Sequence, residues 1–305
     1  MSTFSNEHKL YLKKLKREKL LIKITQISII IGFLIIWELL AHYEVINTFL
    51  FSSPSRIIDT IKNLYSKNDL LGHIGITVYE TALSFIIASV VGLIVATILW
   101  SNNFISKVMD PYLTIINSLP KVALGPLIII WVGASTNSII VMALMISLIL
   151  SIINIYNGFI STNENYIKVL KTFNASKIQI FLKAILPSNK LTIINSFKIN
   201  ISMSLIGVIM GELLVSKKGL GYLIMYGSQV FNINLVITSV FILGIVSYFM
   251  YYLICLIEKK LINKIWKGST CFLYFNCYKL LVDVDFLYMQ HSIDIFLLQY
   301  NCYPA

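Results

Sequence analysis

Six long apolar runs dominate this chain and limit the folds that it can adopt. A helix needs about 20 mainly apolar residues to cross a bilayer, and backbone N–H and C=O groups in lipid must be paired within the crossing element. Charged residues make up 13% of the 305-residue sequence, whereas a typical soluble domain has about 25%. The sequence therefore predicts an all-α membrane protein with six transmembrane helices. The predicted helices cover residues 24–43, 81–100, 112–132, 138–156, 191–215 and 233–257.

The distribution of lysine and arginine predicts how these helices are oriented. Cytoplasmic segments of membrane proteins carry an excess of both residues. With a cytoplasmic N-terminus, the inner segments hold 17 Lys and Arg and the outer segments hold 5. We therefore expect a multi-pass protein of the plasma membrane with both termini in the cytoplasm. The net charge of +11 is scattered around the apolar runs, which argues against nucleic-acid binding. The predicted inner segments are residues 1–23, 101–111, 157–190 and 258–267.

Residues 166–187, YIKVLKTFNASKIQIFLKAILP, are polar and amphipathic where their neighbours are apolar. Asn174 predicts a turn, because asparagine tolerates the left-handed conformation that closes many helices. Ser176 and Gln179 have the spacing of a capping box, which predicts the start of a second helix. Pro187 predicts that this helix stops or bends. Apolar residues recur at i, i+3, i+4 and i+7 in both predicted helices, namely Tyr166, Val169, Leu170 and Phe173, then Ile178, Phe181, Leu182 and Ile185.

This helix-turn-helix resembles the cytoplasmic EAA loop of permease subunits of binding-protein-dependent ABC importers, the MetI-like superfamily. The likeness rests on LKTFNAS at residues 170–176 and on AILP at residues 184–187. Two departures stand out: Lys168, Val169 and Leu170 replace the Glu-Ala-Ala triplet, and Asn174 replaces the glycine of the turn. Asparagine is the best substitute for glycine at positive φ, so we expect the turn to be retained.

The resemblance implies a MetI-like permease fold, with a cytoplasmic coupling helix-turn-helix, and a set of partners. These are ATP-binding-cassette ATPase subunits, an extracytoplasmic solute-binding protein and a second permease subunit, expected to be identical, within the lipid bilayer. ATP would be bound by the ATPase partner, and this chain would hold no cofactor of its own. The implied ATPase-coupling residues are Leu170, Phe173, Asn174, Ala175, Ser176, Lys177, Phe181 and Pro187.

A second group of residues is a candidate solute pathway. The third predicted span contains SLPKVALGP, residues 118–126, which includes Pro120, Lys121 and Pro126. The prolines predict either a broken helix or an ordinary proline kink. Lys198 and Glu212 lie within the fifth predicted span, where charge is costly and marks either function or structural pairing. Both segments resemble spans of the nitrate/sulfonate/taurine branch of the family. Glu38 and Glu80 lie near predicted span ends, where we expect them to reach interfacial water.

Enzymatic chemistry finds no support in the sequence. No His, Asp and Glu cluster has metal-ligand spacing, and no Ser, His and Asp set converges by position. The Gly-x-x-x-x-Gly-Lys-Ser/Thr pattern of a phosphate-binding loop is also missing from the sequence. We therefore predict that the chain is not an enzyme and that energy for uphill transport comes from a separate subunit.

Three organisational units follow, and two other functions stay open. Residues 1–23 form a basic N-terminus, residues 24–267 the six-span permease domain with its coupling loop at 161–190, and residues 268–305 a tail without an assigned role. A secondary transporter would show internal repeats, and none is evident; a membrane scaffold protein would not need the coupling loop. The solute expected from the family branch is a small anion or small organic molecule, such as nitrate, a sulfonate, taurine or a thiamine precursor.

Overall fold

The structure, a computed structural model, describes residues 6–67 and 69–266, and within these ranges all regular structure is helical. A 3-10 turn, Lys121–Leu124, precedes α6, and a π-helical turn, Phe181–Ile185, joins α9 to α10. The predicted all-α fold class is confirmed. The helices are α1 Asn6–His42, α2 Thr48–Phe51, α3 Pro54–Lys67, α4 Leu70–Ser101, α5 Asn103–Ser118, α6 Gly125–Val132, α7 Thr136–Ile160, α8 Glu164–Thr172, α9 Lys177–Ile180, α10 Leu186–Ser188, α11 Lys190–Val215, α12 Leu220–Gln229 and α13 Ile233–Trp266.

Five of the described helices are long and apolar enough to cross a membrane, and a bent pair can supply a sixth span. The five are within α1, α4, α7, α11 and α13. The bent pair consists of Asn103–Ser118 and Lys121–Val132, which meet at 83°. The third span is thus a broken helix rather than a mild kink: α5 ends at Ser118, Pro120 caps the 3-10 turn that follows, and Pro126 lies in the first turn of α6.

Two predicted boundaries were wrong. The second span was expected to start at residue 81, but α4 begins at Leu70. Residues 101–111 were expected to be a connecting segment, but α5 begins at Asn103, capped by the side chain of Asn102. In both places polar residues lower the local hydropathy although they lie within a helix, α4 in the first case and α5 in the second.

The core of the protein lies where α7 packs along α4 and α11. Small residues permit this close approach: an added Cβ at Gly207 would strike the backbone of Ala143 in α7, and one at Gly211 would lie 2.9 Å from the Cα of Ile139. On the other side of α7, Ser151 occupies the space beside Gly92 of α4. The three helices therefore form one tightly packed unit at the centre of the fold.

The C-terminal part of the chain separates into its own unit, residues 255–305. The described part of this unit is the end of α13 up to Trp266. The predicted tail at residues 268–305 lies outside the described residues.

Replacing Gly207 with alanine should destabilise the protein, because a single added methyl group overpacks the contact with Ala143. Overpacking of a close-packed core costs about 1–3 kcal/mol. Gly244→Ala is the matched control, since an added Cβ there meets nothing within 4 Å. Thermal unfolding of the purified protein in detergent measures both. Equal midpoints for the two variants would contradict the packing described here.

Candidate functional site

The polar segment between α7 and α11 folds into two short helices that are anchored at both ends. Asn189, just before α11, is 4% exposed. Its side-chain amide donates to the hydroxyl of Thr162 at 2.6 Å and to the carbonyl of Ile185 at 2.9 Å. Because Thr162 follows α7, this bond ties the start of the segment to its end. We call residues 161–190 the coupling segment.

The turn of the coupling segment has the predicted conformation. Asn174 adopts a φ of 53°, and its N–H donates to the carbonyl of Lys171 at 3.0 Å. The N–H of Ala175 reaches back to Leu170 at 3.1 Å. These bonds satisfy carbonyls that are left free at the end of α8, as in a left-handed helix cap. Asn174 therefore holds the geometry expected from the glycine that it replaces.

The second helix starts as predicted and then departs from the prediction. Ser176 and Gln179 form the capping box: Ser176 N–H donates to Gln179 Oε1 at 2.9 Å, and Gln179 N–H donates to Ser176 Oγ at 3.3 Å. Downstream, the N–H of Leu186 bonds to the carbonyl of Phe181 across a π-helical turn. A wider turn is suited to the missing N–H and bulky ring of Pro187. The helix continues to Ser188.

The apolar residues predicted for the second helix divide between exposed and buried positions. Ile178 and Leu182 point outwards and are 72% and 55% exposed, whereas Ile185 is fully buried. The buried face consists instead of Ile180, Ala184 and Ile185. Sequence spacing alone could not separate these faces, because apolar residues occur all round this helix.

Phe181 fixes the coupling segment to the spans. Its ring centroid lies 5.2 Å from that of Trp100, at the end of α4, and 5.5 Å from that of Phe159 in α7. The same apolar cluster includes Ile193 of α11. The coupling segment thus rests on the ends of all three core helices.

Five large apolar side chains of the coupling segment are exposed, and two of them, Ile178 and Leu182, line a groove beside Trp100 of α4. We call these five side chains the docking patch. Phe173 is 78% exposed although it follows directly after α8. Large exposed apolar surfaces of this kind mark partner sites when they are outside the membrane. The docking patch consists of Tyr166, Val169, Phe173, Ile178 and Leu182.

The eight predicted coupling residues fall into two groups. Leu170, Ala175 and Phe181 are half-buried and pack against the apolar cluster that includes Phe159 and Ile193. The others lie on the surface: Phe173, Asn174, Ser176, Lys177 and Pro187. The structure brings all eight into one compact element. Ile178 and Leu182 were not among the predicted coupling residues, although their apolar character was visible in the sequence.

The candidate pathway residues are less closely grouped. Lys121 is half-buried beside the break in the third span, and its amine donates to Asn117 Oδ1 at 3.0 Å. Lys198 is half-buried on α11, with its amine 3.5 Å from Asn195 Oδ1. Pro120 and Pro126 are exposed. All four side chains are at least partly exposed on the surface of the single chain, and we call these surfaces its open faces.

Glu212 departs from this group, because it is 1% exposed. Its Oε1 accepts from the Thr77 hydroxyl at 2.6 Å and its Oε2 accepts from the Gly221 N–H at 2.6 Å. These bonds are of the kind expected from structural pairing, one of the two alternatives that the sequence left open. Glu80, expected to reach interfacial water, is instead 1% exposed. It follows Thr77 by three residues and lies on the same face of α4.

Sequence reasoning missed the polar cluster to which Glu212 belongs. Three successive N–H groups at the start of α12 donate to side chains of α4 and α11: Gly219 to His73 Nδ1 at 3.0 Å, Leu220 to Thr77 Oγ1 at 2.9 Å, and Gly221 to Glu212. Helix N-termini leave such groups without intrahelical partners. A helical signal from His73 to Glu80 at i, i+4 and i+7 was available. We define the polar cluster as His73, Thr77, Glu80, Glu212 and residues 219–221.

The polar cluster and the coupling segment lie at opposite ends of the same helices. His73 and Thr77 are near the start of α4, whereas Trp100 is at its end. Glu212 is near the end of α11, whereas Ile193 is near its start. The two groups are therefore separated by most of the length of the core.

The fold has unbroken spans and one broken span, with a helix-turn-helix inserted between α7 and α11. The family described as "Binding-protein-dependent transport system inner membrane component" matches residues 88–263. This match covers more than half of the chain, so the chain belongs to that family. The predicted family is confirmed, and its members are transport permeases rather than enzymes.

Individual proteins support the same assignment. The chain is 26% identical over 234 residues to the Bacillus subtilis protein named as an aliphatic sulfonates transport permease, SsuC, covering 77% of this chain and 84% of that protein. It is 26% identical over 189 residues to the formylaminopyrimidine transport permease protein ThiX of Halalkalibacterium halodurans, covering 62% and 75%. A chain of the inward-facing MetNI methionine ABC transporter matches with a TM-score of 0.55 at 19% identity, covering 64% of this chain and 95% of that chain. This last likeness shows the shared fold.

Asn174→Gly should leave the coupling segment intact, whereas Asn174→Val should loosen it. Positive φ costs a β-branched residue roughly 1–2 kcal/mol, and glycine pays no such penalty. Hydrogen exchange of the α8 and α9 amides measures the difference, with faster exchange expected only for the valine variant. Faster exchange in the glycine variant alone would contradict the assigned turn.

Proposed function

We propose that this chain is the membrane-spanning permease subunit of an ABC importer, and that its coupling segment docks onto a separate ATPase subunit in the cytoplasm. The observation that carries the proposal is the docking patch, which is apolar and exposed but mounted on a rigid base. Phe181, Asn189 and the capping box fix that base to the core helices. A displacement applied to the docking patch would therefore reach α4, α7 and α11 instead of being absorbed by the segment.

Orientation supports a cytoplasmic position for the coupling segment. The 17 Lys and Arg of the proposed inner segments against 5 in the outer ones favour this arrangement. Lys171, Lys177 and Lys183 lie on the segment itself, exposed around the docking patch. The basic rim would suit an acidic groove on the ATPase.

The ATPase supplies what this chain does not carry in its sequence, a phosphate-binding loop. ATP would be held and hydrolysed by two such subunits, and an extracytoplasmic binding protein would deliver the solute. A second copy of this chain would complete the path across the membrane. SsuC and ThiX are named for sulfonates and formylaminopyrimidine, and we propose a solute of one of these two types.

We further propose that the open faces carrying Lys121 and Lys198 line the solute path. A lysine within a span is costly against lipid and is placed where it meets protein or water. Each amine is near an asparagine side chain one helical turn away, which helps to orient it. Positive charge on the path favours an anionic solute such as a sulfonate.

Phe173→Ser should weaken binding of the ATPase subunit by about 30-fold, since truncating a central apolar contact residue costs 2 kcal/mol or more. Phe231→Ser is the matched control, because Phe231 is 75% exposed compared with 78% for Phe173 but lies after α12. Co-purification of the co-expressed ATPase and stimulation of ATP hydrolysis by the complex measure the effect. Normal yield and normal hydrolysis with Phe173→Ser would refute the docking proposal.

Lys198→Met should reduce uptake of a sulfonate at least tenfold, because hydrogen bonds to charged groups contribute about 1.5–3 kcal/mol. Lys190→Met, at the start of the same helix, should have a smaller effect. Uptake of radiolabelled taurine and of formylaminopyrimidine by cells with matched membrane abundance provides the measurement. Unchanged uptake of whichever compound is transported would remove Lys198 from the path.

A further inference from the structure

Two carboxyl groups lie together inside the polar cluster, and the proposed transport mechanism uses neither. Glu80 comes from α4 and Glu212 from α11, and each is 1% exposed. Thr77 brings the two together: its hydroxyl donates to Glu212 at 2.6 Å, and Glu80 follows it by three residues on the same face of α4. Two carboxylates buried side by side repel strongly, so one of them must hold a proton.

The hydrogen bonds around the pair favour Glu212 as the charged partner. Both of its oxygens already accept a hydrogen bond, from Thr77 and from the Gly221 N–H, and the N-terminus of α12 favours negative charge. Glu80 Oε2 is buried and has no hydrogen-bond partner among the described residues. Leaving an oxygen unpaired costs much more for an ionised carboxylate than for a neutral carboxyl group.

The charged and titratable neighbours do not supply a compensating cation. In the part of the chain that the structure describes, neither glutamate forms an ion pair. His73 accepts the Gly219 N–H on its Nδ1, so that nitrogen carries no proton and the ring is neutral in this arrangement. Asp69 and Lys218 are the charged residues near His73, and Lys217 is exposed. Thr136, at the start of α7, is uncharged. A proton is the one positive charge that these surroundings leave for the pair.

We propose that Glu80 and Glu212 form a proton-binding site that holds one proton between their carboxyl groups and so keeps residues 219–221 attached to α4 and α11. Loss of the proton places two negative charges side by side in a buried site. Repulsion then pushes α4 and α11 apart at this end of the core and weakens the bonds to the start of α12. The site regulates the end of the permease opposite the coupling segment, and its existence does not depend on the identity of the solute.

Infrared spectroscopy of the full-length protein tests for the proton directly. We expect the wild type at neutral pH to show the C=O stretching band of a protonated carboxylic acid, and to lose it at alkaline pH. Glu80→Gln should lack this band, because Glu212 is the charged partner. Glu164→Gln, which changes an exposed glutamate paired with Lys168, should retain it. Absence of the band from the wild type, or its persistence in a folded Glu80→Gln variant, overturns the proposal.

The pH dependence of stability is a second test that a purely structural role would not affect. Above about pH 5 an unfolded glutamate is ionised, since its ordinary pKa is about 4.3. The folded protein then binds one more proton than the unfolded chain, so stability falls as pH rises. The unfolding constant of the wild type should therefore rise with pH by up to tenfold per unit, and Glu80→Gln should show a smaller slope. Parallel slopes for the wild type and Glu80→Gln would overturn the proposal.

Discussion

The close contact of α7 with α4 and α11 is the interaction on which the rest of this structure depends. Lipid provides little hydrophobic force between spans, so helices associate through small residues that allow close packing. Gly207, Gly211 and Gly92 supply those small surfaces. The resulting unit is stiff because packed helices leave little free volume. The coupling segment rests on one end of this unit and the polar cluster closes the other.

Stiffness of this unit gives the two ends a physical connection. The coupling segment contacts α4 through Trp100, and the polar cluster contacts the same helix through Thr77 and Glu80. On α11, Ile193 belongs to the apolar cluster under the coupling segment, and Glu212 belongs to the polar cluster. A movement that changes the angle between α4 and α11 at one end must change their separation at the other. Because Glu80 is on α4 and Glu212 is on α11, such a change would alter the distance between the two carboxyl groups.

Local features of the coupling segment could be predicted from the sequence, and features that depend on tertiary packing could not. The turn at Asn174 and the capping box at Ser176 follow from neighbouring residues alone, and both are confirmed. The π-helical turn begins at Phe181, whose ring packs against Phe159 and Trp100, and no local pattern encodes these contacts. The same reason explains why the spacing could not show which of the apolar residues of this helix are buried.

The start of α4 shows the reverse problem, in which polar residues hide a helix. Hydropathy favours a span beginning at residue 81, because His73, Thr77 and Glu80 precede it. His73 and Thr77 are polar because they bind the N-terminus of α12, and that partner comes more than a hundred residues later in the chain. A buried polar group keeps its place in a membrane protein only when such partners satisfy it. Two of the residues that obscured the helix boundary therefore bind the start of α12, and this is why the polar cluster emerged only from the folded arrangement.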